Sequence, residues 1–410
     1  MSSPRLPSFA FTTLVFVLGI LPVACCRKAR LAHEVVPSTV PASLEDGVSR
    51  WVRELGSEDA AVRREAVDRL TAAGPSIIDR LIPELEDDAV TSQVAAVLGA
   101  WGPDAEAASG ALAERLRAGS RASPPVAAAL ARIGAPSAPA LIPLLTEVSE
   151  GATLWAVRAL ADMEPFPESV ETVDLLIKVA KSDHPELRRA ALIALSRARP
   201  IRRAAIPPVL TGMQDRDWAT RTWAVQAAEH IGSYVREPAL VRALCQAIQG
   251  DEAVLVRRDA TAVLGELKWA RVLAIPTLRS ALADEDEDVR LLAAEGLLQC
   301  GVPDGRVIET LLGALDQYSD EGKLEMATLL SRSTTKARQA GIVFISELMQ
   351  ANDQIRVRAV ELLGVAGFGD APQAIRLLGD AMEDPSSEIR TAAEASLRAV
   401  RAEHGTEVSE

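Results

Sequence analysis

The sequence of 410 residues predicts an all-α protein, a solenoid of about ten to eleven stacked helical hairpins. A short motif recurs along the chain: a branched apolar residue, an arginine, an alanine three positions later and a leucine seven positions later. Val289-Arg290, Ala293 and Leu297 show its clearest form. In the later copies the basic residue returns every 33 to 36 residues. A period of that size is typical of small helical units that stack on one another.

The first helix of each unit is predicted from an apolar segment that is often opened by proline, as at Ile206-Pro207 or Ile275-Pro276. Proline is tolerated in a first helical turn, because the N–H group that it lacks would have no partner there. Acidic residues then predict a turn, and residues 284–288 form the longest acidic run. We interpret this run as a cap for the next helix, since it lacks the ligand spacing and central glycine of a calcium loop.

The second helix of each unit carries the motif, with its apolar residues on one face. Two such helices cannot bury their apolar faces alone, so neighbouring units must stack. Alanine at the centre of the motif allows adjacent helices to approach closely. We predict that the motif arginine bonds to turn carboxylates or carbonyls of a neighbouring repeat. The resulting arginine ladder comprises Arg63, Arg188, Arg221, Arg257, Arg290, Arg356 and Arg390.

The motif and its upstream Ile-Pro-x-Leu segment together resemble the HEAT repeat over roughly residues 51–402. The pattern is similar to that of the HEAT-like repeats also found in phycobilisome-linker lyases. The resemblance implies the fold and leaves a lyase-type enzyme or enzyme subunit as an alternative function. Another HEAT-like family, the deoxyhypusine hydroxylases, binds a di-iron centre through repeated His-Glu pairs. Only His33-Glu34 has that order here, so we predict no metal site.

The N-terminus contains an uncharged stretch of 21 residues, Leu6 to Cys26. Its apolar core is typical of an export signal. The stretch ends in Leu21-Pro22-Val23-Ala24-Cys25-Cys26, which resembles a bacterial lipoprotein box, so either Cys25 or Cys26 is the predicted lipidation site. A retained membrane anchor stays open as an alternative, because the stretch just reaches the length of a spanning helix.

Four segments follow from these features. Residues 1–26 are predicted to be a signal peptide, lipoprotein signal or anchor, and residues 27–50 a tether. The solenoid is predicted over residues 51–402, with a tail at 403–410. The expected location is membrane-associated and extracytoplasmic, with membrane contact through the N-terminus.

Charge and composition restrict the function. The chain carries a net charge of −13 and has no groove pattern of aromatic and basic residues, so nucleic acid is not an expected partner. No histidine, cysteine or carboxylate constellation indicates catalytic residues, and no motif indicates a cofactor. We therefore predict a non-enzymatic scaffold or adaptor that binds a protein partner.

Two tryptophans are the main candidates for partner binding. Trp155 and Trp223 each lie two residues after the arginine position of their repeat, and the residue at this place in other repeats is commonly polar. We call this set of equivalent positions a column. Trp218 begins the same helix as Trp223. Large aromatic side chains on a partly exposed face are natural anchors for a partner. Packing between adjacent repeats remains the alternative. Basic residues between them, Arg188, Arg189 and Arg221, favour an acidic or amphipathic partner segment.

Overall fold

The computed structural model describes residues 42–119, 121–147, 149–364, 368 and 371–406. Over these residues the chain is all α and contains no strand, which confirms the predicted solenoid class. It forms two compact units, residues 42–240 and 241–406. The predicted signal at 1–26, including Cys25 and Cys26, lies outside the described residues.

The first unit consists of six helical pairs, in which the even-numbered helix carries the motif. Its helices are α1 (Ala42–Glu54), α2 (Ala60–Ala73), α3 (Ile78–Leu81), α4 (Thr91–Trp101), α5 (Ser109–Ala118), α6 (Ser123–Ile133), α7 (Ala138–Leu141), α8 (Glu150–Ala161), α9 (Val170–Val179), α10 (Pro185–Leu195), α11 (Ile206–Gly212) and α12 (Trp218–Gly232). Short 3₁₀ segments lie at Pro75–Ile77, Pro83–Glu86, Gly102–Ala108, Ala135–Ser137, Ile142–Thr146 and Arg203–Ala205.

The second unit continues the same alternation through five further pairs, and α13 begins just before it. Its helices are α13 (Pro238–Gly250), α14 (Val254–Glu266), α15 (Arg271–Ala281), α16 (Glu287–Gln299), α17 (Gly305–Gly313), α18 (Asp320–Ser331), α19 (Thr335–Leu348), α20 (Asp353–Leu363), α21 (Pro372–Ala381) and α22 (Ser387–Thr406). The 3₁₀ segments are Lys268–Ala270 and Leu315–Gln317.

The predicted segment boundaries need two corrections. Helix α1 begins at Ala42, inside the predicted tether of residues 27–50, and its Val48 is only 4% exposed. The apolar positions of α1 pack on α2, so this segment belongs to the solenoid. At the other end, α22 extends to Thr406 and takes in part of the predicted tail.

Local sequence signals explain most helix starts. Asp217 caps α12 by accepting from the N–H groups of Ala219 and Thr220, and Asp286 caps α16 by accepting from Val289 N–H. The prolines behave less uniformly than predicted. Pro276 lies in the middle of α15, because that helix begins at Arg271 and not at the proline.

Adjacent motif helices approach closely through small residues. The central alanines of the motif are fully buried, as at Ala191, Ala260 and Ala293. One close crossing joins α14 and α16, where a Cβ added at Gly265 would lie 2.9 Å from the Cα of Gly296. Because real Cβ atoms essentially never approach so closely, this packing requires glycine at residue 265, and a Cβ at Gly296 would lie only 3.0 Å from the Cα of Gly265.

Candidate partner-binding surface

The arginine ladder has a defined geometry in the described residues. Arg257 donates from Nη1 to the carbonyl of Asp251 in its own turn at 2.9 Å. Its Nε and Nη2 donate to the two carboxylate oxygens of Asp284, both at 3.0 Å. Arg290 of the next motif helix donates to the backbone carbonyl of the same Asp284 at 2.9 Å. One turn aspartate therefore joins two successive motif arginines.

The same arrangement recurs at two other joints. Arg188 donates to the carboxylate of Asp215 at 2.8 and 2.6 Å, and Arg221 donates to the Asp215 carbonyl at 2.9 Å. Near the C-terminus, Arg356 reaches the Asp384 carboxylate at 2.5 Å, and Arg390 reaches the Asp384 carbonyl at 2.6 Å. In each case the aspartate lies 27 or 28 residues after the first arginine.

Arg63 and Arg290 depart from the predicted link to a neighbouring repeat. Arg63 donates to the carbonyls of Ser57 and Glu58, and Arg290 bonds in the same way to its own turn. The position 27 residues further on holds Val90 or Gln317, neither of which is a carboxylate. Fewer motif arginines than predicted therefore bond to a neighbouring repeat, because that bond needs an aspartate in the following turn.

Two repeats without the motif arginine, those of α4 and α8, use a threonine hydroxyl group instead, which the sequence analysis missed. Thr91 occupies the arginine position of α4, and its buried Oγ1 donates to the carbonyls of Leu85 and Asp87. Thr153 occupies the same position of α8 and donates to the Leu144 carbonyl at 2.9 Å. A threonine at the motif position, after an apolar residue and a polar turn, is the signal that could have revealed this substitution.

The two candidate tryptophans occupy the same repeat position on two motif helices that lie on either side of a third. Trp155 on α8 and Trp223 on α12 are both half-buried, and α10 packs between these helices. On α10 the same column holds Ala190, a small buried side chain. The guanidinium of Arg158 lies 4.7 Å from the centre of the Trp155 ring, close enough for a cation–π interaction.

We call this surface the tryptophan strip. Its residues are all partly exposed. They are Leu154, Trp155 and Arg158 on α8, Arg189 and Ile193 on α10, and Thr222, Trp223 and Gln226 on α12.

Trp218 lies elsewhere on α12. It is 48% exposed and directly follows the capping residue Asp217. Trp223 lies five positions further along the helix, which corresponds to about 140° around the helix axis. The three candidate tryptophans therefore do not form one surface, and the strip contains only two of them.

Contacts within the chain occupy the three basic residues that were predicted to favour an acidic partner, Arg188, Arg189 and Arg221. Arg221 is only 7% exposed, and the Arg188 guanidinium is bonded to Asp215. Arg189 donates to Asp217 at 3.2 Å. The expectation that these three arginines receive an acidic partner is corrected, because Arg188 and Arg189 are paired with turn aspartates and Arg221 donates to the backbone carbonyls of Asp215 and Arg216.

These contacts also shift carboxyl pKa values. Burial opposes ionisation of Asp217, but hydrogen bonds from Thr220 and Ala219 and the charge of Arg189 together lower its pKa. The bond from Arg258 lowers the pKa of Asp286 to about 2, helped by the Val289 N–H group. Both capping carboxylates are therefore held in the charged form.

Two features of the described residues bear on other functions. No group of three or more histidine, cysteine or acidic residues in this part of the chain is arranged to hold a metal ion. No single described helix has both the length and the apolar character to cross a membrane, and one bent pair, Ser123–Ile133 with Ala135–Thr146, meets that criterion only when taken together.

Comparison with known proteins gives one family and two relatives. The family profile for HEAT repeats matches residues 173–265 and 241–331. A HEAT repeat-containing taxis protein of Halobacterium salinarum is 27% identical over 135 residues, which are 33% of this chain and 29% of that protein. A phycobilisome maturation protein of Synechococcus elongatus is 26% identical over 199 residues, 45% of this chain and 91% of that protein. The chain thus spans less than a third of the taxis relative.

Among solved structures, a chain in the complex of Kap95p with RanGDP is similar, with a TM-score of 0.48 and 14% identity. That similarity covers 86% of this chain and 55% of that chain. The family match falls on α9 to α18, the region of the regular arginine repeats. The protein therefore contains HEAT repeats over residues 173–331.

Proposed function

We propose that this protein is a non-enzymatic scaffold that binds a protein partner through the tryptophan strip. The observation that carries the proposal is the pair of half-buried tryptophans in one column, Trp155 and Trp223, with the small Ala190 between them. The repeat frame does not require tryptophan there, since other copies have Asp259 or Arg358 at this position.

Two partly exposed rings, two repeats apart, offer a large apolar contact area at little entropic cost. Successive helical pairs advance by about 10 Å, so rings two repeats apart are expected about 20 Å from each other. That spacing fits two anchor side chains of an amphipathic helix or an extended segment. Because the nearby arginines are paired, the proposed partner is recognised mainly by apolar residues.

Affinity capture from cells tests this proposal. Replacing Trp155 and Trp223 together by alanine should weaken capture of the natural partner by about 2–4 kcal/mol, with helicity unchanged by circular dichroism. Trp269→Ala, at a half-buried tryptophan of the other unit, is the matched control and should retain the partner. Early melting of the double variant with lost helicity would show that the rings are core residues and would refute the proposal.

A second candidate is a HEAT-like lyase-type enzyme or enzyme subunit. The observation that favours it is the similarity to a phycobilisome maturation protein over 91% of that protein's length. The test is the visible absorption spectrum of the chain purified from its natural source. A co-purified pigment would support the enzyme, and a colourless chain that retains its protein partner would support the scaffold.

We further propose that the scaffold is tethered to the membrane, outside the cytoplasm, through a lipid on Cys25 or Cys26. The support is the uncharged stretch from Leu6 to Cys26 and its lipoprotein-like end. A fatty-acid analogue should label the native protein, and Cys25→Ser with Cys26→Ser should abolish the label. Persistent labelling of the double variant, or a full-length mass for the native protein, would contradict lipidation.

A further inference from the structure

The segment of α15 and its preceding turn presents an apolar stripe to solvent. Val272 is 85% exposed and Leu273 is 49% exposed. Pro276 is exposed as well, and Trp269 is half-buried. Val272, Leu273 and Pro276 lie on one side of α15, and Trp269 lies in the 3₁₀ segment directly before this helix.

The fold does not need this stripe. Helix α15 packs on α14 and α16 through a different face, which includes Ala274 and Leu278, both fully buried. When the Ile-Pro segments are aligned, the places of Val272 and Leu273 are taken by Asp79 and Arg80 in α3. The equivalent helix there tolerates charged residues, so the apolar pair in α15 is a departure from the repeat frame.

The charge around the stripe is positive. Lys268, Arg271 and Arg279 are exposed, and no acidic residue occurs from 267 to 283, although the whole chain carries −13. Arg279 approaches Asp304 at 3.7 Å, and both side chains remain about half exposed. Charges further away than about 8–10 Å are screened at physiological salt, so the local excess of cations determines what this surface attracts.

We propose that α15 docks on an anionic phospholipid surface, with the stripe inserted among the headgroups and the cations near lipid phosphates. A tryptophan, two aliphatic residues and flanking basic residues on one helix face suit such an interface. Val272 projects freely, with little protein around it, whereas protein hot spots lie in packed pockets. The surface is separate from the tryptophan strip, so it does not rest on the proposed protein partner.

Tryptophan quenching by brominated lipid tests the docking with the full chain. Vesicles of brominated phosphatidylcholine with about 30% phosphatidylglycerol should quench part of the emission. The chain has six tryptophans, so Trp269 contributes only part of the signal. Residues 1–41 contain no tryptophan, so insertion of that segment alone does not produce this quenching. Trp269→Phe should remove the quenching, because it removes the reporter.

The double variant Val272→Asp with Leu273→Arg copies the residues of α3 and leaves the net charge unchanged. It should lose the quenching and keep its helicity, whereas Ile375→Asp, at an exposed apolar residue of α21, should behave as wild type. Lys268→Glu with Arg271→Glu keeps the stripe and should also lose quenching. Quenching that persists in the Val272/Leu273 variant, or its absence in the wild type, would overturn the proposal and leave the stripe as a contact for protein.

Discussion

The link between Arg257 and Asp284 is predicted to be a main source of cohesion between α14 and the turn before α16. Both side chains are nearly buried, with 8% and 12% exposed, and the guanidinium makes two bonds to the carboxylate. Removing one member of a buried pair costs about 3–5 kcal/mol. Arg257 would keep the Asp251 carbonyl and the exposed Glu285 as partners, so we expect Asp284→Ala to cost about 2–3 kcal/mol.

A double-mutant cycle separates this link from other effects of the substitutions. Urea unfolding followed by circular dichroism should give a coupling of about 1–3 kcal/mol between Arg257→Ala and Asp284→Ala. Arg290→Ala is the matched control, because Arg290 donates to the backbone carbonyls of Asp284 and Glu285, and Asp284→Ala retains both of these acceptors. Its coupling to Asp284→Ala should stay below about 0.5 kcal/mol. Equal couplings in the two cycles would refute the ladder as a side-chain link between repeats.

Three further predictions concern packing, the threonine substitution and pH. Gly265→Ala places a Cβ against Gly296 and should destabilise the second unit by about 1–3 kcal/mol, seen as a lower melting temperature; an unchanged melting temperature would contradict the close crossing. Thr153→Val leaves a buried carbonyl without its donor and should cost about 1–2 kcal/mol in urea unfolding, and a cost near zero would remove that role. The lowered pKa of Asp286 means that its contribution is complete above the ordinary value of 3.8 and is lost as pH falls towards 2. Arg258→Gln should therefore flatten the loss of stability between these pH values, and an equally steep loss would contradict the pairing.

The fold was largely predictable because each unit repeats the same pattern of apolar, capping and small residues. The motif helices, their caps and the buried alanines all follow from residue type and spacing, as Asp286 and Ala293 show. The eleven even-numbered helices of the described chain match the number of motif copies expected. The start of α1 was missed because Pro41 and Ser43 suggested a tether, although Val48 and the adjacent turn supply enough apolar burial for a helix.

The candidate site was predictable only in part. Column position indicated that Trp155 and Trp223 lie partly exposed, since a residue beside the buried alanine flanks the core. The bonding partners of Arg188 and Arg221 could not be predicted from residue spacing alone. Their shared partner Asp215 lies in a turn, and tertiary packing determines how close this turn comes to the two arginines. The exposure of the apolar stripe on α15 could not be predicted either. When a helix has apolar residues on two sides, its sequence does not indicate which side is buried.

Photo-crosslinking at the tryptophan strip tests the scaffold function most directly. A benzophenone amino acid is placed at Ile193 or Gln226 on the strip, and at the exposed Thr211 of α11 as the control, in the otherwise native full-length chain. Adducts with a single protein partner should form from both strip positions and not from Thr211. Adducts that form from Thr211 alone, or no adduct from either strip position while the partner is still captured, would contradict binding through the strip.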